Sequence, residues 1–215
     1  MLGFPKATEC SRQLPKKAIY AKFNMDNAAK EKFDAEISRI SIVNEFTPNT
    51  TTLAAGTGIQ GFYVLLVSLK RKDYDPRVIA QLPKLIDQNM VLLLECGGEG
   101  QLAVYHGKLI CSPWKPLSDC SLQLNGLDLD AAWESLITQI GGIQIEDGNT
   151  LDEQIQINAQ REQIAKEIAR LEKLARKEVQ PKRKYELVQQ ITKLKEGKYN
   201  AKKIFMNCSQ KEFLM

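Results

Sequence analysis

Apolar residues in the first 142 positions fall into short runs whose spacing changes from element to element, which predicts an α/β body. Residues 1–20 hold Pro5 and Pro15 and show no sustained period, so they read as irregular. Phe33, Ile37 and Ile40 then recur at steps of four and three behind Asp26, a residue type that caps helices. The spacing predicts a helix over 26–42. Ile42–Phe46 and Thr50–Ala55 read as short strands joined through Pro48-Asn49. Phe62–Leu69 is apolar on both parities and rich in β-branched and aromatic residues, the pattern of a central strand covered on both faces.

Asp75-Pro76 predicts a helix start, because Asp accepts from orphan amides and proline at the first helical position loses no hydrogen bond. Ile79, Leu82 and Ile86 form its apolar face, and Pro83 must kink it or end it early. Met90–Glu95 and Gln101–Tyr105 read as a hairpin around the loop Cys96-Gly97-Gly98-Glu99-Gly100, with a further strand or two between Lys108 and Leu124. Asp128 or Asp130 caps a last body helix whose Leu129, Trp133, Leu136, Ile137 and Ile140 face inward and which Gly141-Gly142 stops. The expected architecture is a mixed central sheet flanked by helices over 1–142, a linker at 143–150, and an arm over 151–215.

The arm has a different rhythm. Ile157, Ile164, Ile168, Leu171 and Ala175 make a one-sided seam, and after Pro181 so do Leu187, Ile191 and Leu194. This predicts a coiled-coil-like helical hairpin with a first helix near 152–179, about 42 Å long, and a second near 182–196, about 22 Å. The shorter helix would then leave Ile157 and Ile164 to dock elsewhere. Glu162 with Lys166 and Glu172 with Arg176 have the i, i+4 spacing of supporting ion pairs.

Charge sharpens the division. Residues 151–215 carry fifteen Lys and Arg against nine Asp and Glu, whereas residues 1–150 carry fifteen against seventeen. The formal +4 therefore divides into −2 on the body and +6 on the arm. Arg176, Lys177, Lys182, Arg183 and Lys184 crowd the hairpin tip, where they are the candidate residues for binding nucleic acid or a partner protein. Tyr185 is the one aromatic among them that a base could stack on. No run approaches 18 apolar residues and no export signal opens the chain, so the expectation is a soluble cytoplasmic protein without membrane contact. Cys10, Cys96, Cys111, Cys120 and Cys208 are scattered, never in a CxxC pair, and read as reduced thiols.

Catalytic signatures are weak. Gly56-Thr57-Gly58-Ile59-Gln60-Gly61 spells GxGxxG, but a strand pattern follows it where a dinucleotide site needs a helix N-terminus, so no nucleotide is expected there. His106 is the lone histidine, which rules out a multi-histidine metal site. The predicted order helix, strand, strand, long strand, helix, strand matches that of restriction-endonuclease-like nucleases. Yet the position of their acid-x-Lys pair reads Ser68-Leu69-Lys70, which keeps the lysine and lacks the acid. Only Glu45 or Glu95, migrated toward Lys70, would restore a metal-dependent nuclease. The residues themselves therefore give no catalytic set, no cofactor and no metal site.

Several segments in order carry a resemblance: Phe4-Pro5 with Thr8, Leu14-Pro15-Lys16 and Tyr20, Thr47-Pro48 with Thr52-Leu53, Ser68-Leu69-Lys70, Trp114, and Leu124-Asn125-Gly126-Leu127-Asp128-Leu129 before Trp133-Glu134. Together with the basic hairpin, they make the chain resemble the bacterial family known as domain of unknown function 4391. The resemblance implies an accessory subunit of a helicase-containing restriction or phage-defence system, with a superfamily 2 helicase or a DNA methyltransferase as its partner. The expectation is thus a non-catalytic binding protein acting through the hairpin, with the migrated-carboxylate nuclease as the alternative.

Overall fold

The computed structural model describes residues 2–84 and 89–209, with side chains described through Glu196. Its contacts divide the chain into two units, Met1–Gln144 and Ile145–Met215. The first unit is built on a seven-stranded mixed sheet. In chain order it contains β1 (Glu9–Gln13), α1 (Lys16–Lys22), α2 (Asn27–Glu36), β2 (Ile37–Phe46), β3 (Phe62–Leu69), α3 (Pro76–Gln81), β4 (Asn89–Cys96), β5 (Glu99–His106), β6 (Lys108–Cys111), β7 (Lys115–Pro116) and α4 (Leu129–Gly141). The strands lie in the order β1-β2-β3-β4-β5-β6, with β7 also pairing with β5. Among the described strands only β3 and β4 run parallel, and the crossover containing α3 joins them.

Asp26 caps α2 by accepting from the Ala29 amide, but the helix stops at Glu36 and does not reach residue 42. A β-bulge explains the misleading period. Ile37 pairs with Leu69 and Arg39 with Ser68, so Ser38 is an extra residue in β2. The bulge lets Ile37 and Ile40, three positions apart, enter one core on a strand, where a regular strand would place them on opposite faces. That core joins them to Phe33, Leu65, Val67, Ile79, Leu82 and Leu92.

Thr50–Ala55 is not a strand either. Threonine hydroxyls take up the backbone locally: Thr50 Oγ1 donates to Glu45 O at 2.8 Å and Thr51 Oγ1 to Thr47 O at 2.9 Å. Ala54 makes one isolated bridge, to Asp128. Two strands, not three, therefore lie between α2 and α3, and the order of restriction-endonuclease-like nucleases is not reproduced. The first twenty residues are more regular than expected, since they supply both α1 and the polar strand β1.

The central position of Phe62–Leu69 is as read, and so is the start of α3, where Asp75 accepts from the Arg77 amide. The helix gives way to a 3-10 turn at Leu82–Lys84, around Pro83, while Ile86 lies outside the described residues. The β4–β5 hairpin is tighter than the glycine-rich loop suggests. Cys96 pairs with Glu99, so the loop is only Gly97-Gly98, both at positive φ, +60° and +82°. On the second face of the sheet Phe46 stacks on Phe62 at 4.5 Å, and Phe62 meets Trp133 of α4 at 5.4 Å. Asp128, not Asp130, caps α4, and Gly142 in the left-handed region ends it.

The second unit contains α5 (Leu151–Lys177) and α6 (Pro181–Ser209). Thr150 and Glu153 form a reciprocal capping box at the start of α5. Ahead of it, Gln154 is buried, with 1% exposure. Its Oε1 accepts from the Glu146 amide at 3.0 Å and from Asn149 Nδ2 at 2.9 Å, and its Nε2 donates to Asn158 Oδ1 at 3.1 Å. The turn before α5 is thereby folded onto the helix. Ile168, Leu171, Ala175 and Ile191 form the hairpin seam, with Ile164, Leu187 and Leu194 packed against it. The second helix is longer than its apolar pattern indicated, running to Ser209 rather than to residue 196. Ile164, expected to be left for another surface, instead joins the seam.

Candidate nucleic-acid interface

At the hairpin tip α5 ends when the Glu178 amide closes on Leu174 O, and Pro181 begins α6. Gln180 fits between them, its amide donating to the Glu178 carboxylate at 2.9 Å while its carbonyl accepts from the Lys184 amide at 3.0 Å. Five cations sit within nine residues around this turn: Arg176, Lys177, Lys182, Arg183 and Lys184, all exposed.

Four cations of the stem are paired. Arg161 pairs with Glu146 at 2.8 Å, Lys166 with Glu162 at 2.6 Å, Arg170 with Glu167 at 2.7 Å and Lys195 with Glu172 at 2.9 Å. Glu172 thus reaches across the hairpin to Lys195; this hydrogen bond, followed by the charges of Lys195 and Arg176, holds its carboxyl below the usual range. Among the described residues, none of the five tip cations forms such an ion pair. Of the four stem pairs only Lys195–Glu172 joins the two helices, and the tip cations are left to solvent or a ligand.

Apolar side chains accompany them. Val179 is 89% exposed, Tyr185 65%, Val188 47% and Leu174 44%. An open groove of about 410 Å³ runs along one side of the tip, where Lys177 and Arg183 share the walls with Glu178 and Glu186. The cations were legible as a charge run. The exposed Leu174, Val179 and Val188 were not, because they fall outside the seam and their exposure is fixed only once the partner helix is placed.

The body's candidate residues are distributed otherwise. Lys70 follows β3, where its amide donates to Glu36 O at 2.7 Å. Glu95 lies beside Ser68 across the β3–β4 pair. Glu45 is paired with Tyr63, seven residues from Lys70 along β3, about 23 Å at the rise of a strand. The structure brings Glu95 to the same sheet end as Lys70 and leaves Glu45 at the other. Two other acidic side chains meet the segment after β3: Glu99 pairs with Lys72, and the buried Glu36 accepts from the Asp75 amide at 3.1 Å and stands 3.5 Å from Arg71. Among the described residues no group of three or more His, Cys, Asp and Glu is placed to hold a metal ion.

The glycine-rich loop is an anion cradle filled from within. The amides of Thr57 and Ile59 donate to Asp130 at 2.7 and 2.6 Å, the Gly58 amide at 3.2 Å, and Thr57 Oγ1 at 2.8 Å. The Gly58 amide and Thr57 hydroxyl, with the other amides, hold the Asp130 carboxyl below its ordinary value. A Cβ on Gly56 would lie 2.2 Å from Asp130 Oδ1, so the close approach requires glycine. Nothing in the spacing of 56–61 announced that the acceptor would be a side chain more than 70 residues later.

The thiols of Cys10, Cys96, Cys111 and Cys120 are free, whereas the side chain of Cys208 lies outside those described. Burial pushes the Cys10, Cys111 and Cys120 thiols up, which reduces their thiolate fraction. His106 ends β5 opposite Lys108. No described helix is long and apolar enough to cross a membrane. In comparison with known proteins, the model of one family, described as "Domain of unknown function (DUF4391)", matches residues 2–197. No curated protein and no solved structure matches.

Proposed function

We propose a binding role for this chain, which belongs to the family described as Domain of unknown function (DUF4391): it contacts nucleic-acid phosphates through the tip of its basic hairpin. The observation that carries the reading is the crowding of five exposed cations into nine residues at the tip, none of them in an ion pair among the described residues, on a hairpin where four stem cations are paired at 2.6–2.9 Å. Leaving cations unpaired on a rigid support favours an anionic ligand, whose binding releases condensed counterions. The family resemblance extends the proposal to a non-catalytic accessory subunit of a restriction or phage-defence system, seated with a superfamily 2 helicase or a methyltransferase.

The test replaces Arg176, Lys177, Lys182, Arg183 and Lys184 together with Gln and measures binding to a labelled oligonucleotide across salt concentrations. With all five contacting phosphates, parent affinity falls roughly 100- to 500-fold between about 50 and 200 mM salt. The variant should bind more weakly and lose most of that salt dependence. An unchanged slope overturns the phosphate reading. Loss of a co-purifying protein with the slope unchanged assigns the tip to protein docking instead.

A further inference from the structure

We propose that the hairpin tip takes single-stranded nucleic acid, with Tyr185 stacking on an unpaired base; this rests on the phosphate-binding reading above. Tyr185 is 65% exposed on α6 and precedes the seam residue Leu187 by two positions, about 200° around the helix. Its ring therefore points away from α5. A tyrosine normally buries its ring or gives its hydroxyl a partner, and here most of the ring is left to solvent.

Its neighbours supply the rest of a stacking platform. Lys182 and Val188 are three residues before and after it, and side chains at that spacing share one helix face. Val188, 47% exposed, extends the apolar surface, while Lys182 and Lys184 put positive charge on either side of the ring. The opposite, groove side offers Lys177 and Arg183 to phosphates but has no aromatic ring among its lining residues. The base contact thus falls to Tyr185. A duplex keeps its base faces stacked on one another, whereas single strands, bulges and frayed ends present them.

The experiment compares the full-length parent with Tyr185→Ala and Tyr185→Phe on a labelled poly-dT strand, an abasic strand of equal length and the matching duplex. The parent should prefer the poly-dT strand to the other two. Tyr185→Ala should weaken binding to poly-dT about 5- to 150-fold, the loss expected of one stacked base, with an unchanged salt slope and little effect on the abasic strand. Tyr185→Phe should retain most of the affinity. Equal binding of Tyr185→Ala and parent, or a parent preference for duplex, overturns the inference while phosphate binding stands. Failure of the parent to bind any of the three overturns both.

Discussion

Asp130 shows how much one carboxylate can organise without deep burial. Four donors from Thr57, Gly58 and Ile59 converge on it and lower its folded pKa below the ordinary 3.8. The sign follows from that depression: the stabilisation is complete above the ordinary value and is lost as pH falls through the lower folded one. Asp130→Asn should therefore melt below the parent at pH 7, and the difference should shrink as pH is lowered past about 3.8. A difference in melting temperature that stays constant through that range would assign the effect to shape and not to charge. The capping aspartates Asp26 and Asp75 were legible, and Asp128 as one of two candidates, because a cap acts on residues two or three positions ahead. Asp130 was not, since its acceptor role depends on a loop 71–73 residues earlier.

At the scale of elements, the hairpin seam was readable nearly residue by residue, because a helix repeats its buried face and carries its own register. Leu171 is 5% exposed within the seam, whereas Leu174, one turn on, is 44% exposed. Leu171→Ala should destabilise the hairpin by about 2–3 kcal/mol, and Leu174→Ala should stay within about 0.5 kcal/mol. Hydrogen exchange of the α5 amides measures both; equal protection in the two variants would contradict the seam. Strand elements were harder to read. The bulge at Ser38 converts a strand into something that scans as a helical period, and threonine-rich 50–55 has β propensity yet spends its hydroxyls on a turn. The central strand escaped both problems, being apolar on both parities from Phe62 to Leu69.

For the molecule as a whole, the sequence predicted an α/β body followed by a basic arm, and charge asymmetry located the candidate surface. What periodicity and charge could not reveal is which cations already have partners, since Lys195 finds Glu172 only when α6 has folded back on α5. The passage from one unit to the next is a case in point. Residues 143–150 have the polar, glycine-containing composition of a flexible connector. Gln154 makes the segment from Glu146 to Asn149 part of the helix that follows, through bonds to a backbone amide and a side-chain amide. The stretch that looks most cuttable should therefore survive a nonspecific protease under native conditions, because a cleavage site must first unfold locally. Gln154→Ala should convert it into an early cleavage site between residues 145 and 150, visible by mass spectrometry of the fragments, and early cutting there in the parent would show the clasp to be too weak to guard the chain.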